Sequence, residues 1–145
     1  MTRDELKDRT KKIAVRVLKV VDALPNTVAA RTLSNQIARS GTSVAANYRA
    51  ACRARSKADF ISKLGIVEEE ADETLFWLER AIDARLMPEK KLKSLMQEAE
   101  DLLKITVSSI NTARGQARYA KQASAIRNPQ SAIRNSHVAN PLDRR

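Results

Sequence analysis

The sequence predicts an all-α fold, an antiparallel up-down-up-down four-helix bundle with a disordered C-terminal tail. Three observations predict it. Apolar residues recur at helical spacing in four segments separated by breakers or a polar turn. Gly and Pro number only three and four in 145 residues, so little interrupts those segments. Aromatics make up 3% of the chain, too few for a β-rich core. The length suits a single domain with a core of useful size. The expected division is residues 1–120 as the bundle and 121–145 as a disordered basic tail.

The first helix spans about Asp4 to Leu24, with Leu6, Ile13, Val17, Val20, Val21 and Leu24 on one stripe. Pro25 ends it, because proline disfavours helical geometry in the preceding residue. The second spans about Val28 to Cys52. Its stripe is Leu33, Ile37, Ser40, Val44, Asn47, Tyr48 and Ala51. A run of small residues, Ser40, Gly41, Ser43, Ala45 and Ala46, invites a close neighbour and leaves the isolated helix weak. Ser56 to Asp59 resembles a capping box and opens the third helix, which runs to about Leu86. Phe60, Leu64, Val67, Ala71, Leu75, Leu78 and Ile82 form its core face. Pro88 suits the first helical position of the fourth segment. Its stripe is Leu92, Met96, Ala99, Leu103, Ile110 and Ala113, and Gly115 or fraying towards Lys121 ends it. Beyond lies a seven-residue duplication, Ser124 to Gln130 and Ser131 to His137, broken by Pro129 and several Asn. It holds too little apolar surface to order itself.

The formal net charge is +10, unevenly placed. Residues 27–58 and 102–142 carry no acid, while seven of the 17 acids fall between Glu68 and Asp83. A basic surface favours polyanions, or serves only solubility. The start of the chain does not resemble a signal peptide, and no apolar stretch nears the ~20 residues that cross a bilayer. With Cys52 as the one cysteine, a cytoplasmic protein is expected.

Three clusters are candidates for function. Glu68, Glu69, Glu70, Asp72 and Glu73 repel one another at four-residue spacing and need an offset. Metal is disfavoured, because di-metal bundles use Glu-x-x-His motifs, and the one histidine, His137, lies in the tail. Arginine is the better offset: in a tight hairpin about residue 54, Arg39 lies level with Glu69. Arg39 then reaches Glu69 or Asp72, and Arg31 reaches Glu73 or Glu79. The second cluster is Arg31, Arg39, Arg49, Arg53, Arg55 and Lys57, a basic stripe for phosphates or a plain solvated face. It has none of the interleaved aromatics of single-strand binders, so any binding would be backbone-driven and salt-sensitive. The third is Ile66, Phe76 and Trp77, apolar residues off the core stripe that suit a self-association interface. No folded histidine is available to activate Ser40, Ser43 or Cys52, so no catalytic residue, metal site or cofactor is expected. Asn47 on the core stripe is expected to fix helix register or bond across to the third helix.

The run Gln36 to Asn47, followed by Arg55 to Phe60, resembles the four-helix bundle proteins of the ribosomal-RNA intervening-sequence family. Glu68 to Glu79 is similar to one branch of it. The family takes in relatives of the accessory variability determinant of diversity-generating retroelements. The resemblance covers residues 5 to 115, and its more specific part is the Gln-Ile-x-Arg-Ser to Asn stretch. It implies an antiparallel bundle assembled as a homopentamer. For the retroelement members it also implies a basic surface that engages a reverse transcriptase and nucleic acid. The matching positions are Arg39, Ser40, Asn47, Arg55, Ser56 and Phe60, and most are expected to be structural. Arg49 stands where many members have Glu, which makes this second helix more basic. The combined expectation is a non-catalytic homo-oligomeric adaptor for RNA, DNA or a nucleic-acid enzyme, without a membrane partner. The alternative is a structural or protein-interaction module with no nucleic-acid role.

Overall fold

The computed structural model describes residues 1–127. Among them are four helices and no strand: α1 Arg3–Ala23, α2 Val28–Ala51, α3 Lys57–Asp83 and α4 Glu89–Arg127. Short turns force each helix to run back along its predecessor. The α2 helix packs against α1 and α3, α3 packs against α4, and α1 touches α4 more sparsely.

Side-chain caps set most of the helix starts. The Thr2 hydroxyl accepts the Glu5 N–H at 3.1 Å, and the Glu5 carboxylate accepts the Thr2 N–H. This closed capping box was not foreseen. Thr27 accepts the Ala30 N–H, and Ser56 accepts the Asp59 N–H. The Asp59 carboxylate takes the Arg55 N–H rather than that of Ser56, so the box at α3 is shifted by one residue. At the end of α3, Leu86 N–H bonds Ala81 carbonyl and Arg85 N–H bonds Ile82 carbonyl. These are the two bonds of a Schellman motif, here with a left-handed Arg85 (φ 57°) in the usual glycine position.

The core is aliphatic: Ile13, Val17, Ile37, Val44, Leu64, Val67, Leu78, Leu92 and Leu102 are fully buried. Four hydroxyls are buried among them, and each donates to a carbonyl three or four residues back in its own helix: Thr10 to Lys7, Ser40 to Gln36, Thr74 to Glu70 and Thr106 to Leu102. They are thus satisfied without reaching another helix. Gly41 fixes the closest approach. A Cβ there would lie 2.6 and 2.7 Å from the two methyls of Val17, so α1 and α2 meet backbone against side chain.

Two expectations are corrected. Asn47 is only half-buried, and its amide donates to the Ser43 carbonyl of its own helix at 2.8 Å, not to α3. The α4 helix passes through Gly115 and continues to Arg127, so residues 121–127, expected to begin the disordered tail, are helical. Nothing in that stretch resists a helix, because Gly115 sits in open space and no proline comes before Pro129. The rest of the duplicated tail lies outside the described residues.

Candidate nucleic-acid interface

The start of α1, the end of α2, the start of α3 and the far part of α4 share one end of the bundle. Lys57 Nζ donates to Gln116 Oε1 at 2.8 Å, and the Arg3 guanidinium lies 5.0 Å from the centre of the Phe60 ring. A groove at this end is lined by Arg3, Lys57, Phe60, Ser108, Thr112 and Gln116. Because Gln116 is level with the first residue of α3, residues 117–127 of α4 overhang the bundle by about 16 Å. Arg118 and Lys121 are exposed along that stretch, with Tyr119 beside them, and Arg114 is exposed just before it.

Arg49, Arg53, Arg55 and Lys57 are exposed at the same end. Among the described residues none of them, nor Arg3, Arg114, Arg118 or Lys121, forms a salt bridge. The local acids are engaged elsewhere. Glu5 serves its cap, and Asp59 pairs with Lys63 at 2.6 Å. The hydrogen bond from Lys63 and that from the Arg55 N–H hold the Asp59 carboxyl below its ordinary range. A concentration of cations without counter-charges therefore occupies one pole. Sequence spacing groups only the α2 part of it, while the fold adds Arg3 and the α4 overhang.

The basic stripe of α2 is divided by the fold. Arg31 is exposed near the opposite end and donates to Asn26 at 2.9 Å, not to Glu73 or Glu79. Arg39 is exposed in mid-bundle and bridges α2 to α3 through Glu70, at 3.2 Å, and Glu73. The anticipated partners Glu69 and Asp72 lie on a different face. With Glu68 they line a groove between α3 and α4, and among the described residues none of the three forms a salt bridge. No group of three His, Cys, Asp or Glu among the described residues is placed to hold a metal ion. His137 lies outside them.

Ile66, Phe76 and Trp77 do not form one exposed patch. Ile66 and Phe76 are exposed, but the Arg80 guanidinium sits 4.7 Å from the centre of the Phe76 ring. Trp77 is half-buried against the core, edge-on to Phe76, and its indole N–H donates to Glu73 at 3.1 Å. The carboxylate that holds Arg39 thus also orients Trp77. Ser40 is buried and bonded within its helix, Ser56 is a cap, and Cys52 is half-buried near Tyr48. Burial pushes the Tyr48 hydroxyl pKa upward.

One site contact lay beyond sequence reasoning. Arg9 of α1 and Glu98 of α4 form a two-pronged ion pair at 2.8 and 2.8 Å, and Arg16 donates to Ser94 at 3.0 Å. Together they clasp the sparse α1–α4 seam, and the bond to Glu98 raises the Arg9 pKa. No helix among the described residues is long and apolar enough to cross a membrane.

The model of the 23S rRNA-intervening sequence proteins matches residues 4–108. A crystal structure of a protein of unknown function from the S23 ribosomal protein family of Bacteroides thetaiotaomicron VPI-5482 is 38% identical. The match covers 72% of this chain and 97% of that one, with a TM-score of 0.68. No curated protein matches the chain. With most of the chain matched and the bundle in place, the protein belongs to the 23S rRNA-intervening sequence protein family.

Proposed function

We propose that the protein is a non-catalytic, homo-oligomeric adaptor that binds the phosphate backbone of nucleic acid through the basic pole of its bundle. The observation that carries this is the gathering of Arg3, Arg49, Arg53, Arg55, Lys57, Arg114, Arg118 and Lys121 at one end without salt-bridge partners among the described residues. Guanidinium and ammonium groups on exposed helix ends suit phosphates, and contacts to phosphate carry no sequence information. The family name ties its members to 23S ribosomal RNA, so RNA is the first polymer to test. The resemblance noted above supports a pentamer, and a nucleic-acid enzyme such as a reverse transcriptase as a further partner.

Filter binding of RNA and DNA duplexes and single strands, across a salt series, tests the reading. The expected result is sequence-independent binding that weakens steeply with salt. Replacing Arg55 and Lys57 by Gln lowers the slope of log K against log salt by about 1.8 on duplex DNA if each contacts one phosphate. Lack of affinity even at low salt refutes the nucleic-acid role. That outcome favours the second reading, a structural or protein-interaction module, for which Arg39 already speaks because it is paired within the fold.

A further inference from the structure

We propose that the groove between α3 and α4 at Gly65 receives the outer face of α1 from a second copy of this chain. The inference rests on the self-association proposed above and assigns its contact surfaces.

The groove has an apolar side and an acidic side. Leu103 and Val107 line it from α4, and Glu68, Glu69 and Asp72 line it from α3. Also on the α3 side is Gly65, a glycine in the middle of a helix. Glycine there costs a helix about 1 kcal/mol relative to alanine. A Cβ at Gly65 would meet nothing within 4 Å, so packing inside the monomer does not require that cost. Gly41 differs in this respect, because Val17 fills the space a side chain would need. A glycine that leaves open space beside apolar side chains suits close approach by an element from outside the monomer.

The outer face of α1 has the opposite character. Val15 and Leu18 are 52% and 47% exposed, although they sit on a helix with a well-filled inner face. Lys11, Lys12 and Lys19 surround them, with Arg16 and Asp8 at the edge. Lys12 is neutralised by Asp8 at 2.8 Å, while Lys11 and Lys19 hold no salt bridge among the described residues. Two cations beside an apolar pair therefore complement three carboxylates, Glu68, Glu69 and Asp72, that are without salt bridges among the described residues and lie beside the apolar Leu103 and Val107. Lys11 and Lys19 lie about 12 Å apart along their helix and Glu68 to Asp72 spans about 6 Å, so the lysines reach the acids through their flexible stems. Phe76 lies four residues past Asp72 on α3 and extends the strip with another exposed apolar side chain.

The two faces lie on different parts of the same chain, so the contact is head-to-tail. Each copy offers α1 to one neighbour and its groove to another, which generates a ring or a filament rather than a symmetric pair.

Light scattering and sedimentation of the full chain test the proposal with three variants at exposed or open positions. Gly65→Leu fills the groove and removes the helix penalty, so it is expected to raise the melting temperature while weakening self-association at least about tenfold. Glu69→Lys with Asp72→Lys, and Lys11→Glu with Lys19→Glu, each place like charges across the contact and reduce the assembly to monomers. An equimolar mixture of those two charge variants is expected to reassemble with the copies alternating, because every contact between the two variants again pairs opposite charges. A wild-type oligomer unchanged in all three variants overturns this docking and leaves self-association standing through other surfaces. A wild-type monomer at tens of micromolar overturns the self-association itself and this contact with it.

Discussion

Substituting Gly41 by Ala adds one methyl at the tightest point of the α1–α2 seam. Its Cβ would stand 2.6 Å from Val17 Cγ2, 2.7 Å from Cγ1 and 3.0 Å from Cβ. Ordinary carbon–carbon contact lies near 3.5–4.0 Å, so one partner must retreat by about 1 Å. Val17 cannot rotate out of the way, because its branched side chain is fully buried and holds one rotamer in a helix. The retreat must come from separating α1 and α2, which loosens the contacts beside it. Overpacking of this kind costs about 1–3 kcal/mol, and the short distances put it in the upper part of that range. Ala in place of Gly in a helix returns about 1 kcal/mol. The expected net loss is about 1–2 kcal/mol, or a fall of roughly 3–8 °C in melting temperature. Urea unfolding at fixed protein concentration measures it. Val17→Ala in the Gly41→Ala background removes the two nearest methyls, so the double variant should lose less than the sum of the singles. A Gly41→Ala protein as stable as the parent refutes the packing argument. Gly65→Ala is the internal control: with nothing near its Cβ, it should gain up to about 1 kcal/mol.

Glu98→Ala leaves the half-buried Arg9 guanidinium without its two-pronged partner, and should lower stability by about 1–2 kcal/mol. Hydrogen exchange should then quicken in the first half of α1 more than in α2 or α3, since α1 and α4 have few other contacts. The depressed Asp59 pKa stabilises the fold above the ordinary carboxyl value of 3.8, and that contribution is lost as pH falls through the lower folded value. Asp59→Asn should therefore flatten part of the acid limb of a stability-versus-pH curve, and an unaltered limb counts against the Lys63 and Arg55 contacts. Ending the chain at Gln116 should change the melting temperature by less than about 2 °C, because nearly all the side chains it removes from the described overhang are exposed. The same truncation should lower the salt slope of DNA binding by about 2 if Arg118 and Lys121 each meet a phosphate.

The four helices were legible because local chemistry marks them. Pro25, Ser56 and Pro88 stop or start them, and apolar residues at intervals of three and four show their inner faces. The end of α4 was not legible. Gly115 resembles a terminator only when a left-handed turn is needed, and here the helix simply continues through it. The ion pairs were half legible. Matching Arg39 to residues at its own height ignores two facts. Side chains lean towards the N-terminus of their helix, which carries the Arg39 guanidinium up α3 towards Glu73. Glu69 and Asp72, though close in height, turn away from α2. Arg9 and Glu98 had no sequence signal, because no short turn fixes the register of the first helix against the last. The basic pole was visible only as its α2 segment for the same reason. Trp77 was misplaced because a half-buried indole can pack on the core with its ring and use its N–H at the surface.

The overhang of α4 changes meaning once copies are counted. A single arm with Arg118 and Lys121 would offer a polyanion few contacts, each weakened by salt. If the copies assemble into the proposed ring, it would carry one arm per subunit, at fixed spacing around its axis. A strand long enough to reach a second arm meets it at a high local concentration, and the combined grip can exceed a single contact by about 10²–10⁴-fold. Such a ring would measure polymer length rather than sequence: short oligonucleotides would dissociate, and structured or extended polymers would stay. Cutting the arm from some subunits in a mixed assembly would then shift the length threshold before it abolished binding.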